Sequence, residues 1–494
     1  MLLLGYDIGS SSIKAALVEA GAGQAIGVVQ HPETEMEIIA RQPGWAEQHP
    51  EVWWDNLCLA TKKLLQQHRV DVAEIKGIGI AYQMHGLVLV DKEHQVLRPS
   101  IIWCDSRAVE IGNQAFEAIG SKQCLTHLLN SPGNFTASKL KWVKDNEPQV
   151  YERIHKAMLP GDYIAMKLTG EIRTTTSGLS EGILWDFQKD ELAKLVLEHY
   201  QIDSNLFPPA VPSFSFQGKL SEEAARATGL KAGTAVGYRA GDQPNNALSL
   251  NVFRPGEVAA TGGTSGVVYG IVDEPVYDPL SRVNGFAHVN HEKDKPRIGI
   301  LLCINGAGIQ YGWVKNQMAL EGAHYNDMER IAASTPIGAD GLRIIPFGNG
   351  AERMLGNLNP GGQANNLQFN RHSRAHFYRA SLEGIAFAFA YGIGILKEMG
   401  LGLDIIRVGN DNLFQSRIFS TTISSLVDSH IEVISTTGAI GAAKAAGVAI
   451  GAYASIEEAM GNNEVVLTYE PASDNGAYGQ AYQAWLGDLK KLIQ

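Results

Sequence analysis

Apolar and polar positions along the chain follow two periods. Short apolar runs that stop at glycine, aspartate or hydroxyl residues read as strands. Longer stretches with apolar positions three or four apart read as helices. Leu2–Asp7 is the first buried-strand signal, Gly9-Ser10-Ser11-Ser12 is a turn, and Ile13–Val18 is a second strand, which together predict a hairpin. A similar unit returns later: Glu257–Thr261 runs through Gly262-Gly263-Thr264-Ser265-Gly266 into Val267–Gly270. Each unit stands near the start of one half of the chain, which points to an internal duplication. Ile75–Ala81, Ala235–Tyr238 and Ile405–Val408 read as further strands. Ala137–Asn146, Ser221–Ala227, Ile304–Leu320, Ala375–Met399, Leu413–Val427 and Gly438–Ile450 read as helices. Such alternation predicts an α/β protein. A chain of 494 residues is long enough for two to four domains. No Pro-rich, Ser-rich or charge-block linker interrupts it, so the expected boundary lies near residue 250, with short crossings around a cleft.

Composition narrows the class. Lys and Arg number 41 against 52 Asp and Glu, a net charge of −11, which argues against non-specific binding to nucleic acid or an anionic membrane. An anionic ligand needs only local donors and stays open. Cys58, Cys104, Cys124 and Cys303 are scattered without metal-ligand spacing and read as reduced thiols. Leu2–Leu4 is too short for a signal peptide, and the apolar run Gly384–Leu396 ends at Lys397, too short to span a bilayer. The expectation is a cytoplasmic protein.

Four places carry candidate chemistry. Asp7 ends a strand, and the turn after it offers backbone N–H groups and the hydroxyls of Ser10, Ser11 and Ser12, with Lys14 just beyond. That pattern suits phosphate oxygens, with Asp7 where a hydrated Mg²⁺ would bridge them. No Gly-Lys-Ser/Thr follows, so it is not a Walker A loop, and a lone turn of this kind is more often only a turn. The second turn, with Gly263 and Thr264, would let two such loops grip a polyphosphate from both sides. Asp242 follows Gly241 at a strand end, placed either for chemistry or for an Asx-turn or helix cap. Gln83-Met84-His85-Gly86 and Trp103-Cys104-Asp105-Ser106-Arg107 combine donors, acceptors and an aromatic wall, the equipment for a polyhydroxylated ligand; singly, each reads as readily as core. Asn305–Gln310, with Gly306, and Arg407–Asn412, with Gly409, place glycines where a flat ligand would lie or where elements pack closely.

In this order the residues resemble the FGGY family of carbohydrate kinases over nearly the whole chain. The resemblance rests on Asp7-Ile8-Gly9-Ser10-Ser11, Trp45-Ala46-Glu47-Gln48 with Trp53-Trp54, Gln83-Met84-His85-Gly86 and Trp103-x-Asp105-x-Arg107. It continues through Gly241-Asp242-Gln243, Gly263-Thr264-Ser265-Gly266 and Gly306-Ala307-Gly308-Ile309-Gln310. It implies two actin-like, ribonuclease-H-like domains flanking a central cleft. Residues 1–250 would bind the sugar and carry the first phosphate turn, and residues 251–494 would bind ATP. It implies Asp242 as the base, Asp7 as the Mg²⁺-associated carboxylate, and Gln83, Met84, His85, Trp103, Asp105, Arg107 and Gln243 as sugar-side residues. Ser10, Ser11, Ser12, Lys14, Gly263 and Thr264 match the phosphate turns, and Gly306, Gln310, Gly409 and Asn412 the nucleotide side. The Met84-His85 pair points within the family to phosphorylation of D-xylulose at its 5-hydroxyl. L-ribulose, L-rhamnulose, glycerol and gluconate are the alternatives within the family, and a non-catalytic nucleotide-binding or sugar-sensing module is the alternative outside it. The partners implied are a small-molecule sugar and ATP, with no nucleic acid and no membrane, and a homodimer is compatible with them. Two stretches depart from the family pattern. Gly409-Asn410-Asp411-Asn412 replaces a glycine run, and Gln243-Pro244-Asn245-Asn246 follows the base where Asp-Asn-Ala is common.

Overall fold

The computed structural model describes residues 1–493. Its first sheet takes six strands: β1 (Leu2–Ile8), β2 (Ile13–Glu19), β3 (Gln24–His31), β4 (Ile75–Tyr82), β5 (Phe214–Lys219) and β6 (Ala235–Gly241). They lie in the order β5-β6-β4-β1-β2-β3. β1 reads as an unbroken apolar run because helices cover both sheet faces. On one face α1 (Pro50–His68) packs Trp53, Leu57 and Leu64 against Leu4, Tyr6 and Ile8.

The second sheet takes β7 (Glu257–Gly262), β8 (Gly266–Val272), β9 (Asn284–Ala287), β10 (Ile298–Ile304), β11 (Ile405–Gly409), β12 (Ile431–Ser435) and β13 (Glu464–Tyr469). Their order is β9-β10-β8-β7-β11-β12-β13. Six of them repeat the first sheet in order and sense. β1 is antiparallel to β2 and parallel to β4, and β7 is antiparallel to β8 and parallel to β11. β6 runs parallel to β4 and antiparallel to β5, as β12 does to β11 and β13. The duplication expected from two hairpins is a duplication of whole sheets, with β9 added at one edge.

Five further helices matter to the site: α2 (Asp242–Ser249), α3 (Gly308–Met318), α4 (Arg374–Glu398), α5 (Arg417–Val427) and α6 (Gly438–Ala449). α6 belongs to the second half of the sequence yet covers the other face of the first sheet. A Cβ on Gly5 would stand 1.9 Å from the Ala439 carbonyl oxygen, and one on Gly79 1.9 Å from that of Ala442. Glycine in the strands and alanine in the helix let the two backbones touch. α4 is, among the described residues, the one helix long and apolar enough to cross a membrane, but 83% of its most apolar window is buried in the second core.

Two helices start later than their apolar pattern suggests. Ile304 closes β10, and Gly306, at φ +81°, turns the chain beneath Pro346 before α3 begins at Gly308. Leu413–Gln415 is a 3-10 turn, and Ser416 caps α5 by accepting from Phe419 N at 3.1 Å. The four cysteines are unpaired.

Candidate active site

Residues flanking the two hairpin turns line one cleft between the sheets. Asp7, Lys14 and Gln243 line it from the first half, and Thr261, Gly409 and Asn412 from the second. Asp7 stands opposite Lys14 in the β1–β2 register. The first turn closes on Gly9 N donating to Ser12 O at 3.1 Å. The second is fastened to the start of α3: Gly308 N donates to Gly263 O at 2.8 Å and Ile309 N to Thr264 O at 3.1 Å. Thr264 is exposed on that turn.

β6 delivers Asp242 as the first residue of α2, and Gly241 is the residue preceding the helix, with no side-chain cap. A Cβ on Gly241 would lie 2.3 Å from Glu181 Oε2 and 2.6 Å from Met84 Cγ. Only glycine leaves room there for both side chains behind Asp242. Burial raises the Asp242 pKa to about 7, the facing Asp7 adds to the shift, and bonds from Gln243 offset part of it. Burial also raises Asp7, against the pull of Lys14. Glu181 was not legible as a site residue, since no motif marks its segment. It is buried, neither carboxyl oxygen has a hydrogen-bond partner, and burial with Asp242 and Asp162 nearby holds its carboxyl well above the usual range.

The sugar-side residues divide. Met84 and Gln83 are buried, and both amide atoms of Gln83 lack a partner. Such an orphan is what a ligand hydroxyl would satisfy. His85 holds a left-handed backbone, φ +62°, braced by Lys139 Nζ, which donates to its carbonyl at 2.9 Å and to that of Ile102 at 3.0 Å. Burial pushes the Lys139 ammonium down to about 7. The His85 ring meets Phe135 edge-on at 4.8 Å and Phe286 at 5.5 Å. Its Nδ1 lies 2.9 Å from the Glu181 carbonyl oxygen, so Nδ1 carries the proton and donates, which leaves Nε2 an acceptor. Burial, reinforced by the charges of Lys139 and Arg353, pushes its pKa down to about 3. Lys139, Phe135 and Phe286 gave no motif signal, because they lie far in sequence from Met84-His85.

Asp105 and Arg107 do not reach the cleft. Arg107 Nη2 pairs with Asp105 Oδ2 at 2.6 Å and Nη1 with Glu47 at 2.8 Å, and the guanidinium lies 3.8 Å from the centroid of Trp45. Asp105 Oδ2 also accepts from Ala46 N at 2.6 Å. Both side chains are satisfied and buried, so they act as a brace. The residue that brace presents is Trp103, 53% exposed, whose indole N–H donates to Ser10 Oγ at 3.3 Å.

The nucleotide-side residues also divide. Gly409 and Asn412 line the cleft beside Asp7, and Asn412 continues with Gly263 into a pocket walled by the stacked Tyr311 and Tyr325. Gly306 and Gln310 line a separate cavity beside Trp313 and Ser381, with Gln310 Nε2 donating to Ser381 Oγ at 3.3 Å.

Residues 2–249 match the family model described as the FGGY family of carbohydrate kinases, N-terminal domain. The xylulose kinase of Bacillus subtilis is 29% identical over 469 residues, 92% of this chain and 90% of that protein. The xylulose kinase of Escherichia coli is 30% identical over 407 residues, 81% of this chain and 80% of that protein. Among solved structures, the xylulose kinase from Rhodospirillum rubrum superposes with a TM-score of 0.89 at 25% identity, covering 100% of this chain and 99% of that one.

Proposed function

Because the chain belongs to the FGGY family of carbohydrate kinases, and so is a phosphotransferase using ATP, we propose that its acceptor is D-xylulose, phosphorylated at the 5-hydroxyl with Asp242 as the base. The observation that carries this reading is the setting of Asp242. It is a carboxyl titrating near neutrality, at the cleft, behind which Gly241 seats the Met84 side chain of the Met84-His85 pair. The xylulose kinases among its relatives support the choice of sugar.

Above its pKa the Asp242 carboxylate orients the hydroxyl and takes its proton as that oxygen bonds the γ-phosphorus of ATP and the bond from this phosphorus to the leaving ADP breaks. Burial holds the Glu181 carboxyl well above its ordinary range, which disfavours a second negative charge beside Asp242. His85 Nε2 accepts from one sugar hydroxyl, the Gln83 amide meets another, and Trp103 forms a wall. The Gly9–Ser12 and Gly263–Ser265 turns offer donors to the phosphates, with Lys14 adding charge. The Tyr311–Tyr325 pocket, continuous with the second turn, takes the nucleoside. Asp7 fits a divalent cation: it is a cleft carboxylate whose raised pKa such an ion would relieve. Among the described residues no group of three His, Cys, Asp or Glu residues gathers. That suits Mg²⁺, which is held by one or two carboxylates plus phosphates and water. When bound it supplies charge that offsets the phosphate oxygens.

We read residues 1–250 and 251–494 as the two domains, sugar to the first and ATP to the second, in a cytoplasmic protein. A homodimer is compatible with these partners, and sedimentation distinguishes it from a monomer. A coupled ADP assay over D-xylulose, L-ribulose, L-rhamnulose, glycerol and gluconate tests the acceptor. D-xylulose is expected to give the highest kcat/KM. Another acceptor ahead by about tenfold, ~1.4 kcal/mol of transition-state binding, overturns the sugar and leaves the family intact.

A further inference from the structure

Arg353 comes from the second half of the chain but stands beside His85. It lies in the turn Glu352–Leu355, which Met354 and Leu355 anchor in the second core while Glu352 is exposed. Its Nη1 donates to Asn284 Oδ1 on β9 at 2.6 Å. The guanidinium sits 5.6 Å from the Phe135 centroid, and Nη2 lies where a Cβ on Gly133 would be 2.9 Å away. Phe135 touches His85 from one side and Phe286, two residues along β9 from Asn284, from the other. β9 itself is tied to the first half of the chain. Asn130 bonds both backbone groups of Gly285, at 2.6 and 3.1 Å, and Ser177 and Ser180 bond those of Ala287, at 2.8 and 3.0 Å.

The buried arginines elsewhere hold carboxylates: Arg107 with Asp105 and Glu47, Arg239 with Asp162, Arg379 with Glu383. Arg353 is half-buried and has no ion-pair partner among the described residues, and burial lowers its pKa. A desolvated guanidinium with one neutral hydrogen bond keeps donors free for acceptor oxygens.

We propose that Arg353 is a substrate-contacting residue, donating to the oxygens of the ketose at the end remote from Asp242, so that the sugar bridges both halves of the protein. The inference rests on the reading of a ketose as acceptor. It explains why the strand absent from the first sheet is the one that positions Arg353 and Phe286 at His85.

The test is Arg353→Met and Arg353→Lys in the full chain, with sugar KM, ATP KM and melting temperature measured together. Losing a donor to a desolvated sugar oxygen should raise the sugar KM on the order of 30-fold in the Met variant and several-fold in the Lys variant. The ATP KM should stay within about twofold. An unchanged sugar KM in the Met variant overturns the proposal. So does a parallel rise of both KM values with a lower melting temperature in both variants, which marks a packing role. If the wild-type protein ignores D-xylulose, the acceptor reading fails instead, and the same split is read with whichever sugar it turns over fastest.

Discussion

The two halves of the sheet duplication share their topology and differ in charge at equivalent positions. In the first hairpin the penultimate strand pair is Asp7 opposite Lys14; in the second it is Thr261 opposite Val267. The helix after β6 begins with Asp242, and the equivalent helix after β12 begins with Gly438. Asp7 and Asp242 both come from the first half, and the equivalent positions of the second hold Thr261 and Gly438. The reason is spatial. A Cβ on Gly438 would lie 2.8 Å from Asp7 Oδ2 and 2.7 Å from Asn246 Oδ1. A carboxylate at Gly438 would crowd Asp7 and add like charge beside it.

The comparison breaks first at Asp242. Asp242→Asn keeps the shape and removes the basicity, so kcat is expected to fall about 10²–10⁴-fold while calorimetric ATP binding holds. Wild-type kcat/KM for the sugar should drop as pH falls through about 7, the value to which burial and Asp7 raise this group. The variant should lose that limb. Stability should move the other way. A carboxyl with a higher pKa folded than unfolded favours the fold when protonated, a contribution complete below about pH 4 and lost as pH rises through about 7. The Asn variant should therefore melt above wild type at pH 8 and level with it at pH 4. A variant that melts lower at pH 8 and keeps its kcat would make Asp242 a structural residue.

Asp7→Ala comes next, with a loss of roughly 10²-fold in turnover expected from removing one charged contact in a low-dielectric site. Sugar affinity should be retained, and near-normal turnover at limiting Mg²⁺ would remove the role assigned to Asp7. Gly438→Ala tests the spatial argument itself. Its methyl meets Asp7 and Asn246 inside van der Waals distance, so turnover should drop about tenfold with the sugar KM little changed; full activity would mean the cleft has room to spare. Thr264→Val should have the smallest effect. It removes one hydroxyl from the neutral turn, and the ATP KM should rise several-fold, in line with about 1 kcal/mol for a single hydrogen bond. A loss as large as that at Asp7 would place the charge-handling turn in the wrong half.

Much of this molecule is local enough to be written in the sequence. Strand and helix periods, the two glycine- and hydroxyl-rich turns, and Asp242 at a strand end all depend on residues close together in the chain. A turn needs its glycines in place whatever the rest of the protein does. Motif order was sufficient to indicate the family, because it samples many short segments at once. Tertiary structure alone decided which polar residues face the cleft. Asp105 and Arg107 looked like ligands and instead satisfy each other beneath Trp45. Glu181, Lys139, Phe286 and Arg353 carried no signal and converge on His85 and Asp242 from four segments. α6 crosses to the first sheet although it lies between two strands of the second in sequence. The physical reason is the same in each case. A charge or an aromatic ring acquires its role from what desolvates and pairs it, and, the neighbouring Asp105 and Arg107 aside, those partners lie tens to hundreds of residues away.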